Sequence, residues 1–355
     1  MPIKIGNIEF YMGPDNVNGP DNLQKTIINF IEGATDRLDI AIQELDNREI
    51  AKAIIKAKQN GIKVRIVLEA DYLLAKSISS EPFTAKGPHE RNRELHNAIL
   101  RSKIKVNSDF NPKIFHQKFI IRDNSSILTG STNFTDTGTN QNLNHVVIIH
   151  DKEIAKIYTK EYKEIQQGHF GKLNEGHDPK PNEIMVSNVR VKPLFAPDHN
   201  PEMEIMKQIA KAKKRVDFSI FTFAESSGID DQMVFARNAG IDVKGSLYKS
   251  AANQKWSAKE TLRNGNVEIF LVPKSGLQKP RPRKLHHKLM VIDEQLVIAG
   301  SFNYTGPANL LNDENILIIG DLDSVDQDSI NKQKKIAEFA LTEMNRIIDE
   351  YGVKE

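Results

Sequence analysis

No cysteine occurs in the 355 residues, which excludes disulfides, thiolate nucleophiles and Cys-ligated zinc or iron–sulfur centres. Long apolar runs are missing too. No window approaches the roughly 18 residues of a membrane span, and the opening MPIKIGNIEFYMGPDN lacks the apolar core of a signal peptide. Nor is one sign of charge in excess. Lys and Arg number 49 against 47 Asp and Glu, so any attraction for a polyanion must come from local clustering. These absences lead to the expectation of a cytoplasmic protein with no stable membrane association. Apolar residues at 39% and charged residues at 27% are ordinary for a folded chain and argue against disorder.

What is present, first of all, is a repeat. FYMGPDN (10–16) is echoed by LFAPDHN (194–200), and each precedes a segment with apolar residues at helical spacing. RLDIAIQEL (37–45) and RVDFSIFTF (215–223) then read as strands. The helices after them stop at Gly61 and Gly240, as glycine lets a helix end in a left-handed residue. Further strands follow, and each half closes with a strand and a last helix. This alternation predicts an α/β protein of two similar halves, each a mixed sheet flanked by helices. Residues 1–167 form the first half and 183–355 the second. The Gly- and Pro-rich stretch 168–182 reads as the linker, and the halves are expected to pack as a pseudo-dimer around one site.

The strongest signal is a six-residue pattern, HxKxxxxDxxxxxxGSxN, that occurs twice. It comprises His116, Lys118, Asp123, Gly130, Ser131 and Asn133, then His286, Lys288, Asp293, Gly300, Ser301 and Asn303. A single match arises by chance on the order of once in ten million starting points. His and Lys two apart on a strand point to the same face. Asp ends the strand at a turn, where its expected role is structural. Gly lets backbone approach a ligand closely. The serines are either second ligands to phosphate or turn formers. Two imidazoles with Lys and Asn donors from both halves suit a phosphoryl group in its tetrahedral or bipyramidal form.

The doubled pattern resembles the HKD signature of the phospholipase D superfamily, which includes phospholipases, phosphatidyltransferases, nucleases and DNA-repair phosphodiesterases. The resemblance runs through nearly the whole chain by way of the repeat, although only the motif segments are specific. It implies a metal-independent phosphodiesterase with no cofactor. His116 attacks phosphorus to give a phosphohistidine, while His286 protonates the leaving oxygen and later activates water. Lys118, Lys288, Asn133 and Asn303 stabilise the charge. The family often carries an acid shortly after the Gly-Ser loop that orients a histidine. The second half has it as Glu314, whereas the first half offers Asn142 and Asn144, with Glu44 as a candidate to compensate.

Other histidines carry less. His145 and His150 read as packed or solvated, and His287 points away from His286 on its strand. His169 and His177 fall in the linker without the clustered ligands of a metal site. A basic cluster is more telling. From Lys274 through Lys279, Arg281, Arg283 and Lys284 to Lys288 there is no acid, and the proline-broken stretch leads straight to His286. Such a loop is expected to bind a polyanionic substrate. The segment 71–93 is expected to form a lid or a wall beside the site. The expected activity is therefore cleavage of DNA, with RNA as a further substrate. The alternatives are a phospholipase or phosphatidyltransferase acting on lipid, and an inactive nucleic-acid-binding module.

Overall fold

The computed structural model describes residues 1–74, 77, 80–174, 179, 181–274 and 280–355. Two nine-stranded mixed sheets dominate it. In the first, Lys118–Arg122 lies between Arg37–Ile42 and Ser126–Gly130, with Asn142–Ile149 beyond. The second sheet repeats this order with Lys288–Ile292, Arg215–Ile220, Leu296–Gly300 and Glu314–Ile319. On one side of each motif strand the neighbours run parallel to one another; on the other they form an antiparallel hairpin.

Strand periodicity divides the core into layers. Phe119 and Ile121 face one cluster while Ile120 faces another; likewise Leu289 and Val291 are separated from Met290 and Ile292. The shared inner cluster draws on both sheets and on two helices, Lys152–Gln166 and Gln327–Tyr351. Each large side chain buried there contributes about 1.5–3 kcal/mol, so the halves are fused by their own core. The outer faces are covered by helices such as Arg48–Gln59 and Ile229–Asn238. Those two helices end as the sequence indicates, with Gly61 at φ +89° and Gly240 at φ +90° just beyond their caps.

The halves also exchange backbone hydrogen bonds. Lys284–Leu285 of the second half pairs in parallel with Asn142 and Leu143 of the first. His286 N–H donates to Leu143 O at 2.9 Å, and His116 N–H donates to Asp313 O at 2.9 Å. Each motif histidine is thereby tied through its backbone to the opposite half. The chain leaving the first half is anchored as well. Gly171 N–H donates to both carboxylate oxygens of Asp313, at 2.9 and 3.0 Å, and Phe170 packs edge-on against Phe115.

Candidate active site

His116 and Lys118 stand at the start of one motif strand, and His286 and Lys288 at the start of the other. Burial is nearly complete, with exposures of 7% for each histidine and 1% and 2% for the lysines. Asp123 and Asp293 sit at the far ends of those strands and hold the adjoining turn. Asp123 accepts from the backbone N–H groups of Thr35, Asp36 and Arg37, and Asp293 from those of Lys213, Lys214 and Arg215. Burial works to raise the Asp123 carboxyl, but these donors together outweigh it and hold it below its usual range.

Each motif histidine is oriented by the other half. His116 Nδ1 lies 2.6 Å from Glu314 Oε2, and His286 Nδ1 lies 2.9 Å from Asn144 Oδ1. The Asn144 amide is fixed: its Nδ2 donates to Gly138 O at 2.8 Å, which turns Oδ1 toward the imidazole. His286 Nδ1 is therefore the donor, and its Nε2 is left for chemistry. Asn144 precedes Glu314 by the same 170 residues that separate the motifs, so the repeat itself held the signal for this partner. Glu44 does not compensate. It lies beyond the end of its strand and hydrogen-bonds Asn92, not a histidine.

The Gly-Ser pairs need correcting. Ser131 Oγ donates to Asn144 Oδ1 at 2.8 Å and Ser301 Oγ to Glu314 Oε2 at 2.6 Å, and both serines are wholly buried. Their hydroxyls are engaged with the groups that orient the histidines. The glycines serve strand packing in place of ligand approach. A Cβ on Gly130 (φ +148°) would lie 2.3 Å from His145 O, and one on Gly300 2.2 Å from Asn315 O. Asn133 and Asn303 follow on the next loops, partly exposed, and the Oδ1 of each is buried with no hydrogen-bond partner.

Charge is crowded here. Burial first, then Lys118 and Lys288, holds the His116 imidazole well below its ordinary value; burial and the same lysines do so for His286. Burial brings Lys118 down to about 7 and pushes the Glu314 carboxyl up to about 8. The free site thus sheds charge that an incoming anion would restore. Lys118 Nζ donates to Gln43 Oε1 at 3.1 Å and His116 O at 2.8 Å. Its counterpart Lys288 has Phe221 in place of a glutamine, with Nζ 4.9 Å from the ring centre. The two sides of the site are therefore chemically unlike.

Directly behind lies a second pair of cross-half contacts. Asn315 Nδ2 donates to Gln117 Oε1 at 2.7 Å, while His145 and His287 stack with their Nδ1 atoms 3.1 Å apart. His287 stands off the reactive face, as its strand position indicates. Of the basic cluster, Lys274, Arg281 and Arg283 are exposed, Lys284 is partly buried near Phe221, and Lys279 lies outside the described residues.

A cleft of about 980 Å³ adjoins the site, lined among others by Gln43, Glu44, Asp46, Tyr72, Asn142 and Lys284. The two ends of the 71–93 segment meet at its edge, where Tyr72 and His89 pack 5.1 Å apart. Among the described residues, no helix is long and apolar enough to cross a membrane.

Comparison with known proteins bears on the whole arrangement. A family model described as "Cardiolipin synthase, PLD-like domain" matches residues 27–166 and 205–332. A Rickettsia felis protein named phospholipase D is 32% identical over 139 residues, which is 39% of this chain and 62% of that relative's own length. The human mitochondrial cardiolipin hydrolase is 25% identical over 121 residues, 34% of this chain and 42% of that protein. Among solved structures, phosphatidylserine synthase of Haemophilus influenzae superposes over 100% of this chain and 89% of its own, with a TM-score of 0.66. At 14% identity that likeness speaks to the fold.

Proposed function

The chain belongs to the phospholipase D superfamily of phosphodiester-acting enzymes, and from that premise we propose that it hydrolyses phosphodiesters without a metal, through a phosphohistidine on His116. The observation that carries this reading is the unequal anchoring of the two histidines, carboxyl for His116 and carboxamide for His286.

His116 Nε2 attacks phosphorus while its Nδ1–H is held by Glu314. As the N–P bond forms, positive charge builds on the ring, and a Glu314 carboxyl that burial keeps high gains reason to ionise. His286 meets no such compensation, because the Asn144 carbonyl is neutral. Its imidazolium therefore gives up a proton readily to the departing oxygen as the P–O bond breaks. Neutral His286 next takes a proton from water, whose oxygen attacks phosphorus and releases His116. Lys118 and Lys288 supply cationic donors to the phosphoryl oxygens throughout.

Phospholipid is the substrate class this reading favours. Relatives named phospholipase D and cardiolipin hydrolase support it. Nucleic acid is the second reading, favoured by exposed Lys274, Arg281 and Arg283 ahead of His286. The test is hydrolysis of bis(p-nitrophenyl) phosphate in excess EDTA. Wild type is expected to turn over and His116→Ala to lose about 10⁴-fold or more in rate. Loss of wild-type turnover on chelation would contradict the reading.

A further inference from the structure

Gln43 and Phe221 stand at the same place in the repeat, one residue past the strands Arg37–Ile42 and Arg215–Ile220. Their backbones are used alike. Gln43 N–H donates to Gln117 O and Phe221 N–H to His287 O, each at 2.9 Å. Their side chains are not. Gln43 Oε1 accepts from Lys118, and its Nε2 donates to the Tyr72 hydroxyl at 3.1 Å. Phe221 has no polar side-chain atom, yet three groups able to carry positive charge gather at its ring. The His286 ring lies 4.7 Å away between centres, and the Nζ atoms of Lys288 and Lys284 lie 4.9 and 5.3 Å from the phenyl centre. The phenyl ring is itself fixed, stacked on Tyr248 at 5.5 Å and packed against the cluster that includes Leu143 and Leu285.

A phenyl ring attracts a cation through its electron-rich face and takes no conventional hydrogen bond from it. For the lysines the consequence can be counted. An ammonium has three donors. Lys118 gives two of them, to Gln43 Oε1 and His116 O, whereas Lys288 gives one, to His286 O at 2.9 Å. Among the described residues Lys288 therefore keeps two N–H groups for phosphoryl oxygens where Lys118 keeps one. His286 has the greater need of the ring. An acid must hold its proton until the P–O bond breaks, and its surroundings oppose that. Burial first, then Lys288, Lys118, His116 and Lys284, hold this imidazole well below its ordinary value. Its Nδ1 partner, the Asn144 carbonyl, is neutral. His116 has the Glu314 carboxyl at its Nδ1 instead, and among the described residues no aromatic ring packs against it.

We propose that Phe221 is a positioning residue for the proton donor: its ring holds the His286 imidazolium and the Lys288 ammonium while leaving their N–H groups free to donate. The inference rests on the phosphodiesterase reading above. It gives the equivalent positions Gln43 and Phe221 different parts, a hydrogen-bonded lysine beside the nucleophile and a ring-held pair beside the acid. The proton on His286 Nε2 passes to the departing oxygen as the P–O bond breaks. The neutral imidazole that remains is held less strongly by the ring, so the contact favours the acid without trapping it.

The experiment compares kcat/KM in EDTA for two diesters. Methyl phenyl phosphate has a phenolate that leaves poorly without a proton; bis(p-nitrophenyl) phosphate has a nitrophenolate that leaves well. Phe221→Leu is expected to lose about tenfold on the first and about twofold or less on the second. The alkaline limb of its kcat/KM profile on methyl phenyl phosphate is expected to fall by about half a pH unit, because losing the ring face disfavours the protonated acid. Phe221→Tyr keeps the ring and is expected to stay within about twofold of wild type on both diesters. Phe221→Gln copies the first half and is expected to behave as Phe221→Leu does. Equal losses on the two diesters by Phe221→Leu and Phe221→Gln alike, or an unmoved limb, would overturn the proposal. So would full retention of rate on methyl phenyl phosphate by Phe221→Gln. Wild type silent on both diesters would overturn the phosphodiesterase reading, and this inference with it.

Discussion

Glu314 and Asn144 occupy equivalent places and differ by a single functional group. A carboxylate steadies positive charge on the ring it holds, whereas an amide oxygen only fixes the ring's direction. Glu314→Gln is therefore expected to lower kcat by about 10²-fold while Asn144→Asp raises the pKa of His286. The second change should shift the alkaline limb of the kcat profile upward by about one pH unit, because a carboxylate favours imidazolium. Steady-state rates across pH read both effects. Lys118 gives a related prediction. Burial holds it down to about 7 in the free site, and a bound anion favours its charged form. Anion binding above pH 7 then takes up a proton, so affinity must fall as pH rises through that value. The inhibition constant of dimethyl phosphate, a monoanion over this range, measures the trend. The His116 and Lys118 pair was legible in the sequence because both come from one strand with a fixed period. The serines were not, since spacing says nothing about which neighbour a hydroxyl bonds.

At the level of elements, each motif strand is joined to its partner by a tight turn. Asp123 and Asn124 have φ +54° and +49°, and Asp293 and Glu294 have +52° and +56°. Successive left-handed residues are the pattern of primed hairpin turns, which Asn and Asp adopt at less cost than Glu. Glu294→Asn copies the first half and is expected to stabilise by roughly 0.5–1 kcal/mol. The exposed pairing of Glu294 with Arg215 that it removes is worth little. Urea denaturation of the variant beside wild type measures this. A structural role for Asp123 and Asp293 could be read from their place at a strand end, but not its target, since their carboxylates hold the turn at 35–37 and at 213–215 that leads into the neighbouring strand. Why glycine precedes each serine could not, because the obstacle is the carbonyl of a strand that follows 15 residues later.

Across the whole molecule, the site exists because two halves meet. Glu314 was recognisable in the sequence, but its target was not: the histidine it holds belongs to the other half. The same holds for the layer behind. Gln117 with Asn315, and His287 with His145, occupy equivalent positions across the pseudo-twofold relation. His287 Nε2 is buried with no partner, so the imidazole pair is the less satisfied of the two. His145→Asn and His287→Gln are each expected to cost about 1–3 kcal/mol alone and to recover most of it together. A double-mutant cycle in urea reports that coupling. Fold class and the doubled motif were plain from the repeat; the unlike walls of the site came from Gln43 opposite Phe221 and from Glu44, positions outside any motif.

The claim on which the rest depends is that phosphorus passes through His116. Its most direct test is mass spectrometry of the His286→Ala variant, quenched in base after mixing with bis(p-nitrophenyl) phosphate in EDTA. Without its partner to activate water, the enzyme is expected to accumulate a phosphoryl adduct on the peptide that contains His116. An adduct on another residue, or steady turnover by His116→Ala, would contradict the account.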